Sequence, residues 1–414
     1  MIKQYLKQVI YQLKENKLIS CISIAGTAFT IAMIMVMVIL FQIKNANYRP
    51  EVNRNRTMYV QFGETFGKAD NKRFSTNFNL TLPFIKECLY SLKSAEVVTA
   101  MTSNTSPFSV PGSNEFISGR VKYIDTAFWK MFDFEFLAGK PFTEADFQSG
   151  IKQVVIREKI AQKLFHTTEV VGKSIHVQGI PYTICGVVRN YSKWASFAHA
   201  DMFIPYTVVE GWQNYRLQGP FICLILAPNK DAFDAIRRET DANVERFNEQ
   251  QSELIIGIRK QPYSHFQQRF FTWGLDLPHV AENVRRYVII LLVLLLIPAI
   301  NLSSLTLSRM QKRMQEIGIR RSFGATRKQI VSQVLSENLI ITLLGGLLGL
   351  LLSYLGIYLM HDWLLDGDPY ISPEMVASPV VFVLAFLFCL ILNLLSASIP
   401  AWRVARKNIT DALR

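Results

Sequence analysis

Four long apolar runs divide the chain. Leu18 to Phe41 reads LISCISIAGTAFTIAMIMVMVILF, and Tyr287 to Leu307 reads YVIILLVLLLIPAINLSSLTL. Ile330 to Met360 contains LIITLLGGLLGLLLSYLGIYLM, and Val380 to Pro400 reads VVFVLAFLFCLILNLLSASIP. A helix crosses a hydrocarbon core in about 20 residues. Each run is long enough, and buried soluble helices rarely stay uncharged over such a length. Between the first two runs the pattern changes to short mixed elements. TMYVQF at 57–62 and FICLIL at 221–226 read as strands, as does ELIIGIRK from Glu253. Residues 174–188, SIHVQGIPYTICGVV, read as two strands around a Gly-Ile-Pro turn. Residues 80–94 place Phe84, Ile85, Cys88, Leu89 and Leu92 at helical spacing. Residues 231–251 predict a long polar helix that starts after Asn229.

These patterns predict an α-helical membrane protein with four transmembrane helices and a large α+β extracytoplasmic domain inserted between spans 1 and 2. The spans are 18–43, 285–308, 330–360 and 379–400. The inserted domain is 44–284, long enough for two subdomains. A segment at 1–17 precedes the first span, with Ile2, Leu6, Val9, Ile10 and Leu13 on one side and lysines around them. It reads as an interfacial amphipathic helix or as a plain basic extension of the span. The first run is too long for a signal-peptide core, and its LISC box precedes the apolar stretch rather than following it. An uncleaved anchor is expected.

Charge then sets the orientation. The 414 residues carry a net charge of +13. Lys3, Lys7, Lys14 and Lys17 precede span 1. Arg309, Lys312, Arg313, Arg320, Arg321, Arg327 and Lys328 crowd the loop 309–329. Arg403, Arg406, Lys407 and Arg414 lie in the tail 401–414. The loop 361–378 holds Asp362, Asp366, Asp368 and Glu374 and no lysine or arginine. The positive-inside rule puts both termini and the basic loop in the cytoplasm and the acidic loop outside. The basic balance thus follows topology, and nucleic acid is not an expected partner; the lipid bilayer is. Cys88, Cys185 and Cys223 lie in the inserted domain, where small buried hydrophobes are the expected reading over a bridge.

Catalytic patterns are not evident. Gly172-Lys173-Ser174 ends like a phosphate-binding loop, but the pattern's first glycine falls on Thr167, and a strand rather than a helix is predicted to follow. The six histidines are scattered. Neither a nucleophile–base set nor a metal set emerges, so the chain is not expected to be an enzyme. Glu337 is an ionisable group early in the third span, which makes it a functional candidate. The favoured reading is that it snorkels or pairs with a cytoplasmic arginine such as Arg309 or Arg327, since it lies near the interface. Asn301 is a polar group within the second span, and Pro298 should kink that helix. Gly345 and Gly349 are four apart, a spacing that lets membrane helices approach closely, either between protomers or within one chain.

The segment EIGIRRSFGATRKQI, 316–330, joins spans 2 and 3. Gly324 suits a left-handed helix cap. Thr326 with Gln329 makes a capping box that opens the third span. An ordered helix–turn–helix is predicted, with Ile317, Ile319 and Phe323 exposed for a cytoplasmic groove. QEIGIRRSFGATRKQIVSQVLSENLI resembles the signature of the FtsX-like permease family of ABC transporters, and the tail IPAWRVARKNITDALR resembles that family's C-terminal end. The family has Asn-Pro where this chain has Asn408-Ile409. YIDTAFWKMFDFEFLAGKPFTEAD, VVIREKIAQKLF, VGKSIHVQGIPYTICGVV and DMFIPY resemble, in order, the periplasmic core domain of MacB-type transporters.

The resemblance implies a permease of the bacterial inner membrane that couples ATP hydrolysis by a separate cytoplasmic ATPase to movement of its outer domain. The partner would bind ATP and Mg; this chain would hold no cofactor and no metal. Glu316, Ile317, Gly318, Arg320, Arg321 and Gly324 would form the coupling helix. A second permease protomer, identical or not, is implied. A periplasmic adaptor and an outer-membrane channel remain open as partners. Export of antibiotic, peptide or lipid-like substrates and lipoprotein release both fit. The alternative is a regulatory membrane module that activates a cell-wall hydrolase.

Overall fold

The computed structural model describes residues 17–70, 72–112, 115–215, 218–270, 280–312, 315, 319, 322–364, 369–370 and scattered positions between 383 and 402. The chain forms two units. One comprises 1–43, 282–368 and 373–414, and the other 44–281 with 369–372.

Among the described residues, three long helices make up most of the first unit: α1 (Lys17–Asn45), which runs on into the second unit, α4 (Val280–Lys312) and α5 (Arg327–Leu359). By length and composition, Ser20–Asn45 and Lys328–Leu359 can cross a membrane. Helix α4 continues through Pro298 over 33 residues. The fourth apolar run lies mostly outside the described residues, as does the segment at 1–16.

Polar groups inside the apolar helices are satisfied locally. Thr27 donates to the Ser23 carbonyl at 2.8 Å, Thr342 to Asn338 at 2.7 Å, and the Asn338 amide to Val334 at 3.0 Å. Each bond runs back four residues along its own helix, so none of these groups has to face hydrocarbon unpaired.

Helices α1 and α5 meet at glycines. A Cβ on Gly345 would stand 2.8 Å from Thr27 Cβ, and one on Gly349 would stand 2.6 Å from the Ala28 carbonyl oxygen. Close backbone approach of this kind is what small residues allow. Gly356, further along α5, has nothing within 4 Å of its Cβ position. The two sites should respond oppositely to the same substitution. Gly349→Leu forces backbone apart and costs about 1–3 kcal/mol. Gly356→Leu meets open space and gains about 1 kcal/mol of helix propensity. Denaturant unfolding of the two purified variants in mild detergent checks the opposite signs; destabilisation of equal size in both would show that the α1–α5 contact does not matter.

The second unit is built on a mixed ten-stranded sheet in the order β13-β1-β11-β4-β5-β10-β7-β9-β6, with β8 pairing β4 and β9. Its strands are β1 (Thr57–Val60), β4 (Val97–Ser109), β5 (Ile117–Ile124), β6 (Phe136–Gly139), β7 (Gln153–Arg157), β8 (Ser174–Val177), β9 (Ile180–Val188), β10 (Met202–Pro205), β11 (Ile222–Leu226) and β13 (Tyr263–Ser264). Among the described residues, only β5–β10 and β7–β9 pair in parallel. Helix α2 (Glu158–Phe165) follows β7 and lies within the crossover to β9. A separate three-stranded sheet joins β2 (Gly63–Gly67), β3 (Arg73–Phe78) and β12 (Leu254–Gly257) in the order β12-β2-β3.

Two local expectations change. The turn between β8 and β9 is Gln178-Gly179, with φ of 51° and 79°, while Ile180 and Pro181 already belong to β9. Positive φ at both central residues is the type I′ hairpin geometry, which proline cannot adopt. The helix expected over 80–94 is shorter. Thr81 caps Leu82–Phe84, which passes into a π-helical turn at Ile85–Leu89. The apolar positions are still buried. Phe84 packs edge-on to Phe247 of α3 (Phe233–Glu249), ring centres 5.3 Å apart. Asn229 does cap the start of that helical segment, accepting from the Ala232 amide at 3.0 Å.

An aromatic core fills the centre of the unit. Phe128, Trp129, Phe134 and Phe203 lie within ring contact of one another. Asp125 anchors it: its carboxylate accepts from Tyr90 (2.6 Å), Thr99 (2.5 Å) and the amides of Ala100 and Phe128 (3.0 Å each). A buried carboxylate survives only with such a full set of donors. The three cysteines of this unit are free thiols, and burial pushes Cys88 and Cys185 up to about 12. They behave as core residues.

Candidate coupling site

The connection between α4 and α5 starts from two helix ends clamped together. Met310 of α4 and Val334 of α5 are buried, with Leu307 and Val331 packed against them. This apolar clasp fixes the spacing of the helices just where they turn. Within the turn, Ser322 Oγ and the Phe323 amide both donate to the Ile319 carbonyl, at 2.7 and 3.1 Å. The chain then reverses at Gly324, whose φ of +92° is the left-handed geometry that glycine adopts without strain.

The next helix opens with a reciprocal cap. Gln329 Oε1 accepts from the Thr326 amide at 2.8 Å, and Thr326 Oγ1 accepts from the Gln329 amide at 3.4 Å. Such caps satisfy backbone donors that a helix start leaves bare. The result is an ordered corner that presents Phe323, 88% exposed, and Ile319, 49% exposed. Glu316, Ile317, Gly318, Arg320 and Arg321 lie outside the described residues.

Further into α5, Glu337 is half-buried and accepts from Gln333 Nε2 at 3.3 Å. The side chains of its expected partners Arg309 and Arg327, and that of Asn301, are outside the described residues. Gly345 and Gly349 face α1 of the same chain. Gly172-Lys173-Ser174 leads directly into strand β8, so the helix a phosphate-binding loop requires is replaced by a strand.

A second constellation, which no sequence pattern marks, stands at the root of the inserted domain. Glu51 and Arg54, each 2% exposed, pair at 2.5 Å. Arg54 also donates to the Ala46 carbonyl (3.1 Å), the Tyr48 hydroxyl (2.7 Å) and the Trp194 carbonyl (2.6 Å). The other Glu51 oxygen accepts from the amides of Phe197 (2.8 Å) and Ala198 (3.0 Å). Nearby, His265 meets the Lys44 carbonyl at 3.3 Å, and Arg269 donates to Asn45 at 2.7 Å. The chain leaving α1 is thus tied to loop 190–200 and to the segment after β13. The nearest thing to a sequence signal is the concentration of charge in EVNRNR, 51–56, shortly after a span.

The family profile described as MacB-like periplasmic core domain matches residues 20–242. The chain belongs to that family. A second profile, the FtsX-like permease C-terminal part, matches residues 288–409. The protein is thus a MacB-like ABC transporter permease, as the sequence resemblance implied; its extracytoplasmic domain is α/β where the sequence pattern predicts α+β, and two of the described helices are long and apolar enough to cross a membrane. Relatives include the uncharacterized ABC transporter permease YknZ of Bacillus subtilis (strain 168), 25% identical over 341 residues that cover 80% of this chain and 79% of YknZ. The macrolide export ATP-binding/permease protein MacB of Escherichia coli (strain K12) is 24% identical over 412 residues, 97% of this chain. The chain spans 59% of the length of that MacB. Among solved structures, the extracellular domain of a YknZ transporter from Gram-positive bacteria aligns with a TM-score of 0.36 at 17% identity, over 49% of this MacB-like chain and 99% of that domain. The periplasmic region of MacB from Actinobacillus actinomycetemcomitans aligns with a TM-score of 0.35 at 16% identity, over 50% of this chain and 89% of that region.

Proposed function

We propose that this permease takes its ATPase from a separate cytoplasmic chain and converts that partner's ATP-driven closure into movement of the extracytoplasmic domain. Its cargo on this reading is an antibiotic, a peptide or a lipid-like molecule, or a lipoprotein to be released. The observation that carries the reading is the capped corner at 322–329. An exposed phenylalanine on a rigid turn between two clamped helices has the form of an anchor for a partner's groove. The apolar clasp at Met310 and Val334 gives the corner a direct hold on α4 and α5, so a push on Phe323 reaches both helices. The four-span topology with cytoplasmic termini, the coupling roles of Glu316, Ile317, Gly318, Arg320 and Arg321, and a second protomer belong to the same proposal. ATP and Mg would sit on the partner.

The test is to purify the tagged chain from its native membranes after mild crosslinking and to assay the eluate for ATP hydrolysis. A copurifying ATPase of roughly 25 kDa, the size of a single nucleotide-binding domain, is the expected result. A crosslinked preparation with neither an ATPase nor ATP hydrolysis would end the coupling reading. Capture of a cell-wall hydrolase in place of an efflux adaptor would turn the function towards wall regulation.

A further inference from the structure

Strand β5 carries two cations on one face, Arg120 and Lys122, beside a cavity of about 300 Å³ in the inserted domain. Residues two apart on a strand point to the same side. Ser103 of β4 stands opposite Lys122 in the ladder, and Met101 stands opposite Ile124. The same face therefore joins charge, hydroxyl and thioether. Phe197, Pro220 and Ile222 complete an apolar wall, and Ser196 adds a second hydroxyl.

The charges around this cavity do not cancel. Lys122 is only 4% exposed, and its amine donates to the Phe197 carbonyl and lies 6.0 Å from the centre of the Phe128 ring. Among the described residues, neither Lys122 nor Arg120 forms an ion pair with a carboxylate. Glu51 is the acid whose charge reaches Lys122, but its oxygens are taken by Arg54 and by the amides of Phe197 and Ala198. Asp201 is likewise occupied, accepting from the Arg120 backbone amide at 2.9 Å and pairing with Arg157 at 3.5 Å. Two cations are left over, one of them buried. A buried ammonium held by a single carbonyl is costly unless an anion completes it.

We propose that this cavity binds a small amphiphilic carboxylate, with Arg120 and Lys122 taking the head group and Met101, Phe197, Pro220 and Ile222 holding the apolar body. The volume is at the lower end of small-molecule sites, which combine apolar walls with a few placed polar groups. A guanidinium and an ammonium on one strand face give a carboxylate charge-assisted hydrogen bonds from two directions. The site does not rest on the coupling reading, because binding needs no ATPase.

Protonation adds a signature. Burial pulls Lys122 down to about 7, against the pull of Glu51 and with the push of Arg120. The other titratable group facing these cations is His199, which burial holds down to about 4, so it stays neutral above pH 6. Arginine side chains stay charged throughout this range. The anion therefore meets a charged Lys122 at pH 6 and a neutral one at pH 9, and its affinity should fall between them.

Calorimetric titration of the full chain in lipid nanodiscs, blanked with empty discs, tests this with 4-phenylbutyrate, the neutral 4-phenylbutanol and inorganic phosphate. One site per chain is expected for the carboxylate, at least tenfold tighter than for the alcohol or for phosphate, and weaker at pH 9 than at pH 6. Lys122→Met should reduce affinity at least tenfold and remove the pH dependence. If that variant fails to fold, Arg120→Gln decides, because its exposed side chain has no hydrogen bond among the described residues. No carboxylate binding, equal affinity for acid and alcohol, phosphate binding as tight as the carboxylate, or full affinity in Arg120→Gln would each overturn the proposal.

Discussion

A permease carrying Phe323→Asp and Gly324→Pro reaches the membrane at wild-type levels and loses its ATP-driven work. Phe323 is 88% exposed, so replacing it removes little from the fold of the chain itself. Gly324 has φ of +92° with nothing near its Cβ position. Proline holds φ near −65°, so the chain can no longer reverse at that point in the same way. The clasp of Met310 with Val334 and the Thr326–Gln329 cap lie on either side and remain to hold α4 and α5. What changes is the direction and chemistry of the presented corner. Aromatic anchors at interfaces commonly contribute about 2 kcal/mol or more, so the affinity for the ATPase should fall roughly 30-fold or beyond. Titrating purified ATPase against the permease in nanodiscs measures that affinity directly, and ATP hydrolysis by the complex reads the coupling. Wild-type affinity and turnover in the double variant would sink the assignment of this corner. Reversal of both Arg320 and Arg321 to Glu should give the same loss by charge alone.

Much of this corner is legible in the sequence because its signals are local. Thr326 and Gln329 three apart define a cap whatever surrounds them, and Gly324 after an exposed phenylalanine marks a reversal. The Asn229 cap of the short turn Lys230–Ala232 that leads into α3 is legible for the same reason. The turn at Gln178-Gly179 is hidden because Gly-Ile-Pro offers stronger turn residues, while the hand of a tight hairpin, a property of two paired strands, selects the earlier pair. Long-range pairing is out of reach. Nothing in 51–56 announces that Arg54 will meet Trp194, 140 residues away. Nothing in β5 shows that the counter-charge near Lys122 will already be committed elsewhere. The MacB-type assignment succeeds because it rests on several ordered stretches between 123 and 206, and the cavity beside Arg120 is invisible because three separated strands and the segments at 79, 196–197 and 220 create it.

Removing one member of the buried Glu51–Arg54 pair should cost the chain more stability than the substitutions at Gly349, Phe323 or Arg120. Both side chains are 2% exposed. Their placement, not their number of bonds, makes the pair important. Arg54 reaches the Ala46 carbonyl and the Tyr48 hydroxyl, which lie on the chain leaving α1, and also the Trp194 carbonyl on loop 190–200. Burial alone would weaken its charge, but Glu51 and Tyr48 outweigh that and raise its affinity for the proton. Arg54→Met leaves Glu51 buried with two amide donors and no counter-ion, a loss of about 3–5 kcal/mol. Glu51→Gln alone leaves the guanidinium in the same position. In the double variant neither charge remains, so the loss should be smaller than the sum of the singles. For a domain of this size, the single variants should lower Tm by about 6–20 °C. Thermal unfolding of the four proteins in mild detergent, followed by near-ultraviolet circular dichroism, gives the full cycle. Strict additivity would mean that the two side chains act separately and that the chain leaving α1 is fastened to the domain by its other contacts. A coupling of several kcal/mol would make this pair a main fastening between the chain leaving α1 and loop 190–200, beside the contacts of His265 with Lys44 and Arg269 with Asn45.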